Sequence, residues 1–180
     1  MDEFTSILLS TGLGFFGTII GASVTWWIAK KANVTIVTLK LYEEWNSESM
    51  LKARHDVQEV REFFDRDTNT TLDSKFRSIL PEHRARIWRI IHFYQKLYVM
   101  IDNKQCNKKL IPDLFGETFY WWYLNCFESK LLPSKNRIAS IRIRDLKEWL
   151  DKNAPKNDVA RWIMRETETT KGDYQEKVSL

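Results

Sequence analysis

Charged side chains are absent from Phe4 to Ala29, a run of 26 positions reading FTSILLSTGLGFFGTIIGASVTWWIA. Basic residues are absent before Lys30, although the chain holds 28 Lys and Arg in all. Cysteine and histidine are scarce, with 2 and 3 copies in 180 residues. Cys106 and Cys126 suit free thiols in a reducing compartment. Together with the scattered His55, His83 and His92 they make no zinc-ligand spacing. No G-x-S-x-G, no phosphate-binding loop and no H-E-x-x-H occurs. The paired acids Asp65/Asp67 and Glu166/Glu168 fall in polar stretches and suit solubility. These absences point away from an enzyme, and no catalytic residue, cofactor or metal ligand is expected.

The uncharged run is itself informative. The hydrocarbon core of a bilayer takes roughly 20 consecutive apolar residues in helical form. The expected organisation is a short external N-terminus over 1–6, a transmembrane helix over 7–29, a cytoplasmic α-helical domain over 30–165 and a disordered tail over 166–180. A secretory signal peptide would begin basic and end at small residues. This chain begins Met1-Asp2-Glu3, and its run ends Trp26-Trp27-Ile28-Ala29. A buried helix of a soluble protein is usually shorter and carries a polar stripe. Lys30 and Lys31 flank only the C-terminal end, so the positive-inside rule places the N-terminus outside and the body in the cytoplasm of a prokaryote, at the inner (plasma) membrane. Trp26 and Trp27 fit the cytoplasmic interface, where amphipathic rings collect.

Within that run Ser10, Gly14, Gly17 and Gly21 recur in steps of 4, 3 and 4 and share one helix face. Small residues let membrane helices approach closely. This face predicts homo-oligomers, although glycine is also generally frequent in membrane helices.

The body carries 28 basic and 22 acidic residues, a net charge of +6. That suits attraction to an anionic leaflet, and nucleic acid is not an expected partner. With 8 Trp in the chain, a small helical body can still form a real core. Asn33-Val-Thr35 and Asn69-Thr-Thr71 match the glycosylation pattern, which a cytoplasmic location makes idle.

Helical periodicity dominates, and no strand pattern emerges; the expected fold class is all-α, one membrane helix followed by a small bundle. From Val34 to Phe64 there is no Gly or Pro, and Met50, Ala53, Val57, Val60 and Phe64 recur in steps of 3 and 4. A loop is expected over 65–74, with a short helical piece over 72–79. Pro81 opens a long helix to about Asn103, with Ile87, Trp88, Ile90, Ile91, Tyr94, Leu97, Tyr98 and Ile101 around more than half of it. A basic turn covers 103–109. Another helix is expected over 111–129, with Phe115, Phe119, Trp122 and Cys126 or Phe127 inward. A break at 133–136 precedes helices over 141–152 and 158–165.

Two elements carry a resemblance. One is Trp45-Asn-Ser-Glu48-Ser-Met50-x-x-Ala53-Arg54. The other is Trp88-Arg-Ile-Ile91-His-Phe-Tyr94-Gln95-Lys-Leu97, continued by Ile101-Asp102, Leu110-Ile111-Pro-Asp113 and Leu114-Phe115-Gly116. Over about Leu39 to Phe127 the chain resembles an uncharacterised prokaryotic family, the domain-of-unknown-function 4760 group. That resemblance implies one N-terminal membrane helix and a small cytoplasmic helical domain, and no particular activity. Members often carry an acidic residue where this chain has Gln95.

Arg54 lies on the half-buried side of its helix, and a planar guanidinium there calls for a carboxylate partner. Asp102, Asp113 and Glu117 cluster around the following hairpin and supply the expected internal clamp; a ligand phosphate is the alternative. Lys104, Lys108 and Lys109 flank one turn, and Lys130, Lys135, Arg137, Arg142 and Arg144 another. With Tyr120, Trp121 and Tyr123 they frame either an anion or base-stacking site or a solvated surface facing acidic headgroups. The candidate ligand or partner surface is therefore Arg54, Lys104, Lys108, Lys109, Tyr120 and Trp121. The expected role is a self-associating, membrane-anchored interaction or sensing scaffold that meets the lipid bilayer and a cytoplasmic partner or small-molecule signal. The alternative is an oligomeric membrane effector of an antiviral defence system, triggered through the cytoplasmic domain by a signal such as a nucleotide.

Overall fold

The computed structural model describes residues 3–66, 80–131 and 138–165, with side chains described from 19 to 58, 80 to 128 and 138 to 165. Every regular element among the described residues is helical. The short helical piece expected over 72–79, the break at 133–136 and the tail over 166–180 lie outside the described residues, as do Lys135, Arg137 and the side chain of Lys130.

Helix α1 spans Glu3–Trp45 without a break. Its last turns belong to the core: Thr38, Leu41 and Trp45 are buried, and Val37 packs against them. Steps of 3 and 4 put these residues on one face. Its preceding turns are different, because residues 19–33 are exposed throughout. Ile20, Trp26 and Trp27 leave 62%, 64% and 59% of their surface uncovered.

The stretch from Val34 to Phe64 holds neither Gly nor Pro, yet it is divided between two helices. α1 ends at Trp45, and α2 begins at Glu48 and runs to Arg66. The break needs neither Gly nor Pro. Asn46 Nδ2 donates to the Tyr42 carbonyl at 2.9 Å, and Ser47 Oγ donates to the Glu44 carbonyl at 2.7 Å. Short polar side chains thus satisfy the last carbonyls of α1. The Ser47 carbonyl then accepts from Met50 and Leu51, and Glu48 sits in the positive first turn of α2. Met50, Ala53 and Val57 are buried as expected; Val60 and Phe64 lie outside the residues whose side chains are described.

Helix α3, Pro81–Asp102, is the centre of the bundle. It buries Ile87, Ile90, Ile91, Phe93, Tyr94, Leu97 and Ile101 and takes contacts from α2 and from α5, Ile138–Asn153. Phe93 adds to the face expected from sequence, while Trp88 and Tyr98 are only half-buried. Between them in the chain lies α4, a composite rod: π-helical over Pro112–Gly116, α-helical over Glu117–Trp122 and π-helical again over Tyr123–Leu131. The wider turns rotate successive side chains, so Phe115, Phe119, Tyr120, Trp122, Tyr123, Cys126 and Phe127 are all buried. A final helix, α6, covers 156–165.

The core is aromatic. Trp45 lies 4.7 Å from Phe93 and 4.9 Å from Tyr94, ring centre to ring centre. Tyr94 meets Phe119 edge to face at 5.1 Å. Trp162 of α6 seats directly on Gly116, where a methyl group would overlap its ring, and stacks beside Tyr120 at 5.5 Å.

Candidate functional site

The structure divides the sequence-derived candidates among four places. Ser10, Gly14 and Gly17 lie in α1 outside the residues whose side chains are described. Gly21 is exposed, with open space around the position a Cβ would occupy.

The basic turn folds back onto α1. Asn107 makes the joint: its backbone N–H donates to Thr38 Oγ1 at 2.8 Å, and its Nδ2 donates to Thr35 Oγ1 at 3.1 Å. Lys104 adopts φ 57°, the left-handed conformation that ends α3, and Gln105 N–H closes the motif on the Met100 carbonyl at 2.8 Å. Cys106 is buried in the same joint, and burial pushes its thiol pKa up despite a hydrogen bond with Thr38. Lys104, Lys108 and Lys109 stay exposed around it. Thr38 is seven residues beyond Lys31, an axial rise of about 10 Å. Lys30 and Lys31, further back along α1, lie over the Trp26 and Trp27 rings at 4.9 and 5.3 Å.

Arg54 and Trp121 come together elsewhere, in an open groove of about 660 Å³ between α2 and α4, lined also by Lys52, His55, Gln58 and Thr118. The expected Arg54–carboxylate clamp does not form. The Arg54 guanidinium stacks on Trp45 at 4.6 Å instead, and among the described residues it has no hydrogen-bond or carboxylate partner. Glu117 pairs with Arg165, while Asp102 and Asp113 are exposed. Asp56, two residues along α2 from Arg54, pairs instead with Arg86 of α3. Burial lowers the Arg54 pKa from its ordinary value, opposed by the neighbouring Tyr94 and Tyr42. Such a shift marks a cation that has lost solvent without gaining a counter-charge.

Behind Arg54 lies Tyr94, fully buried. Its hydroxyl has no hydrogen-bond partner among the described residues. Thr118 is close enough to draw the Tyr94 pKa down slightly against the dominant rise from burial. The Thr118 hydroxyl donates to the Phe115 carbonyl at 3.1 Å, however, and the tyrosine pair falls short of bonding geometry. A buried orphan hydroxyl costs about 1–3 kcal/mol.

Tyr120 does not join this groove. It is buried against α5 and α6, with its hydroxyl donating to Asp151, which Lys147 also pairs at 2.7 Å. Burial first, then that bond and the carboxylate charge, push its pKa well up. Tyr123 is buried too, and Arg142 and Arg144 lie on α5. A second groove of about 700 Å³ beside Trp88 and His92 has its charges engaged: Lys96 pairs with Glu44 at 2.7 Å, and Arg89 donates to the Ser49 carbonyl at 3.3 Å.

Sequence reasoning missed Tyr94 and Thr118 as site residues, because Tyr94 reads as an ordinary core position and Thr118 has no distinguishing neighbour. Trp162 carries no sequence signal either. Comparison of the chain with protein-family models, curated proteins and solved structures gives no match.

Proposed function

We propose that the protein is a single-pass, membrane-anchored helical module that acts as an interaction or sensing scaffold, its body on the cytoplasmic side. The observation that carries this is the exposed stretch of α1 over 19–33. Ile19, Ile20, Val24, Trp26, Trp27 and Ile28 are exposed, uncovered by any described residue. Contiguous apolar surface of this kind requires a bilayer or another apolar partner. Among the described residues no helix is long and apolar enough to cross a membrane. Positions 4–18, which hold the first part of the uncharged run, are not among those residues with described side chains, and the proposal rests on the run as a whole.

The same helix that would be anchored ends inside the core at Trp45. An anchor and a body built on one uninterrupted helix move as one piece, which suits a module that transmits a state between them. The basic turn at Lys104–Lys109 then faces anionic headgroups beside Lys30 and Lys31. Open space at Gly21 leaves room for a second copy of the helix, in line with self-association. The continuity of α1 equally favours the second reading, an oligomeric membrane effector triggered through its body.

Alkaline carbonate extraction of cells expressing the full chain tests the anchor. The expected outcome is retention in the membrane pellet, with protease added outside unable to reach the body. Release into the supernatant would overturn the proposal.

A further inference from the structure

The geometry points to the α2–α4 groove as a binding site for a small aromatic oxyanion, held by the free edge of Arg54 and by the Thr118 hydroxyl, with its ring on Trp121. The inference deepens the sensing half of the function proposed above by naming what is sensed, and its residues all belong to the helical body.

Three observations converge. Arg54 presents a guanidinium whose one face is fixed on Trp45 at 4.6 Å, leaving its donor edge without a partner among the described residues. A planar fork held in this way is preorganised for two parallel bonds to a carboxylate or phosphate. Lys52 and His55 line the same groove, and among the described residues no Asp or Glu does, so the charges described there favour an arriving anion. Tyr94 is fully buried next to Arg54 and Thr118 with its hydroxyl unpaired.

One rotation links these parts. Thr118 now donates to the Phe115 carbonyl. Turned toward an oxyanion beside Arg54, its O–H donates to that ligand, and its oxygen, moved by the same rotation, accepts from the Tyr94 hydroxyl. The buried orphan is then satisfied only in the bound state, so the fold stores a preference for the ligand. The half-exposed Trp121 borders the groove, and a flat ring beside the oxyanion would lie against it. A volume of about 660 Å³ suits a ligand of mononucleotide size or smaller.

The test is a titration of the full chain in neutral detergent, read by tryptophan fluorescence and by thermal shift. The probes are phenyl phosphate and adenosine monophosphate, benzoate and indole-3-acetate, inorganic phosphate, and neutral indole. Saturable binding by the aromatic phosphates, by the aromatic carboxylates or by both is expected, and the two arms separate the sources of the oxyanion. Inorganic phosphate and indole should bind more weakly. Arg54→Gln should weaken binding by about tenfold or more, and Arg54→Lys by less. Tyr94→Phe should weaken it several-fold while melting at or above the temperature of the unaltered chain, which a merely structural tyrosine would not do. The inference is overturned if no probe binds saturably, or if Arg54→Gln and Tyr94→Phe, both folded, bind as the unaltered chain does. Carbonate extraction is blind to all of these outcomes, so a failed groove and a failed anchor are told apart.

Discussion

Tyr94 and Tyr120 are both held neutral by burial, and the consequence is a defined pH dependence. Their pKa values in the fold stand above the ordinary tyrosine value of 10.0. An acid whose folded pKa is raised contributes stability that is complete below its unfolded pKa and lost as pH rises through the folded one. Thermal stability should therefore hold to about pH 10 and fall beyond it. Melting curves taken from about pH 8 upward check this, and Tyr94→Phe should make the fall shallower. A flat profile through that range would contradict the burial of both hydroxyls. Gly116 shows a steric demand at the same scale. An added methyl overlaps the Trp162 ring, so the ring or the backbone must shift to admit it. Gly116→Ala should cost about 1–3 kcal/mol, measured as a lowered denaturation midpoint.

Among the elements, α1 and α2 show how local hydrogen bonding overrides periodicity. Val34 to Phe64 contains no Gly or Pro, and its apolar spacing is regular from Met50 onward, so no break is marked by composition. Asn46 and Ser47 end α1 through side-chain bonds to the Tyr42 and Glu44 carbonyls, a competition that apolar spacing does not reveal. The break matters, because α2 can then turn back against α3 and carry Arg54 to Trp45. The end of α3 is a second case. Lys104 holds φ 57° at the position where helices usually place glycine. Lys104→Gly should raise stability by about 1 kcal/mol, visible as a higher melting temperature with the Asn107–Thr38 joint intact. No gain would mean that the left-handed turn is not the conformation in solution.

At the scale of the whole molecule, an exposed stretch of α1 over 19–33 adjoins an aromatic bundle. The helical segments of the body were legible from spacing: α3 begins at Pro81, and Ile87, Ile90, Ile91, Tyr94, Leu97 and Ile101 are all inside it. Part of the candidate surface was legible too, since Arg54 and Trp121 do share a groove. Lys104, Lys108 and Lys109 belong instead to a collar on α1, and Tyr120 to a buried pair with Asp151. Residues far apart in the chain are assigned to one site or another by the crossing of helices, which no local spacing encodes.

Composition and periodicity determined by themselves that this is a helical protein with one long uncharged stretch and a basic body, because burial of apolar faces at helical spacing is a local property of the chain. Tertiary packing alone decided that Arg54 would lie on Trp45 without a carboxylate, and that the Tyr94 hydroxyl would be sealed beside it. The partner of a buried cation is set by which side chains the bundle brings within a few ångströms, not by which are near in sequence.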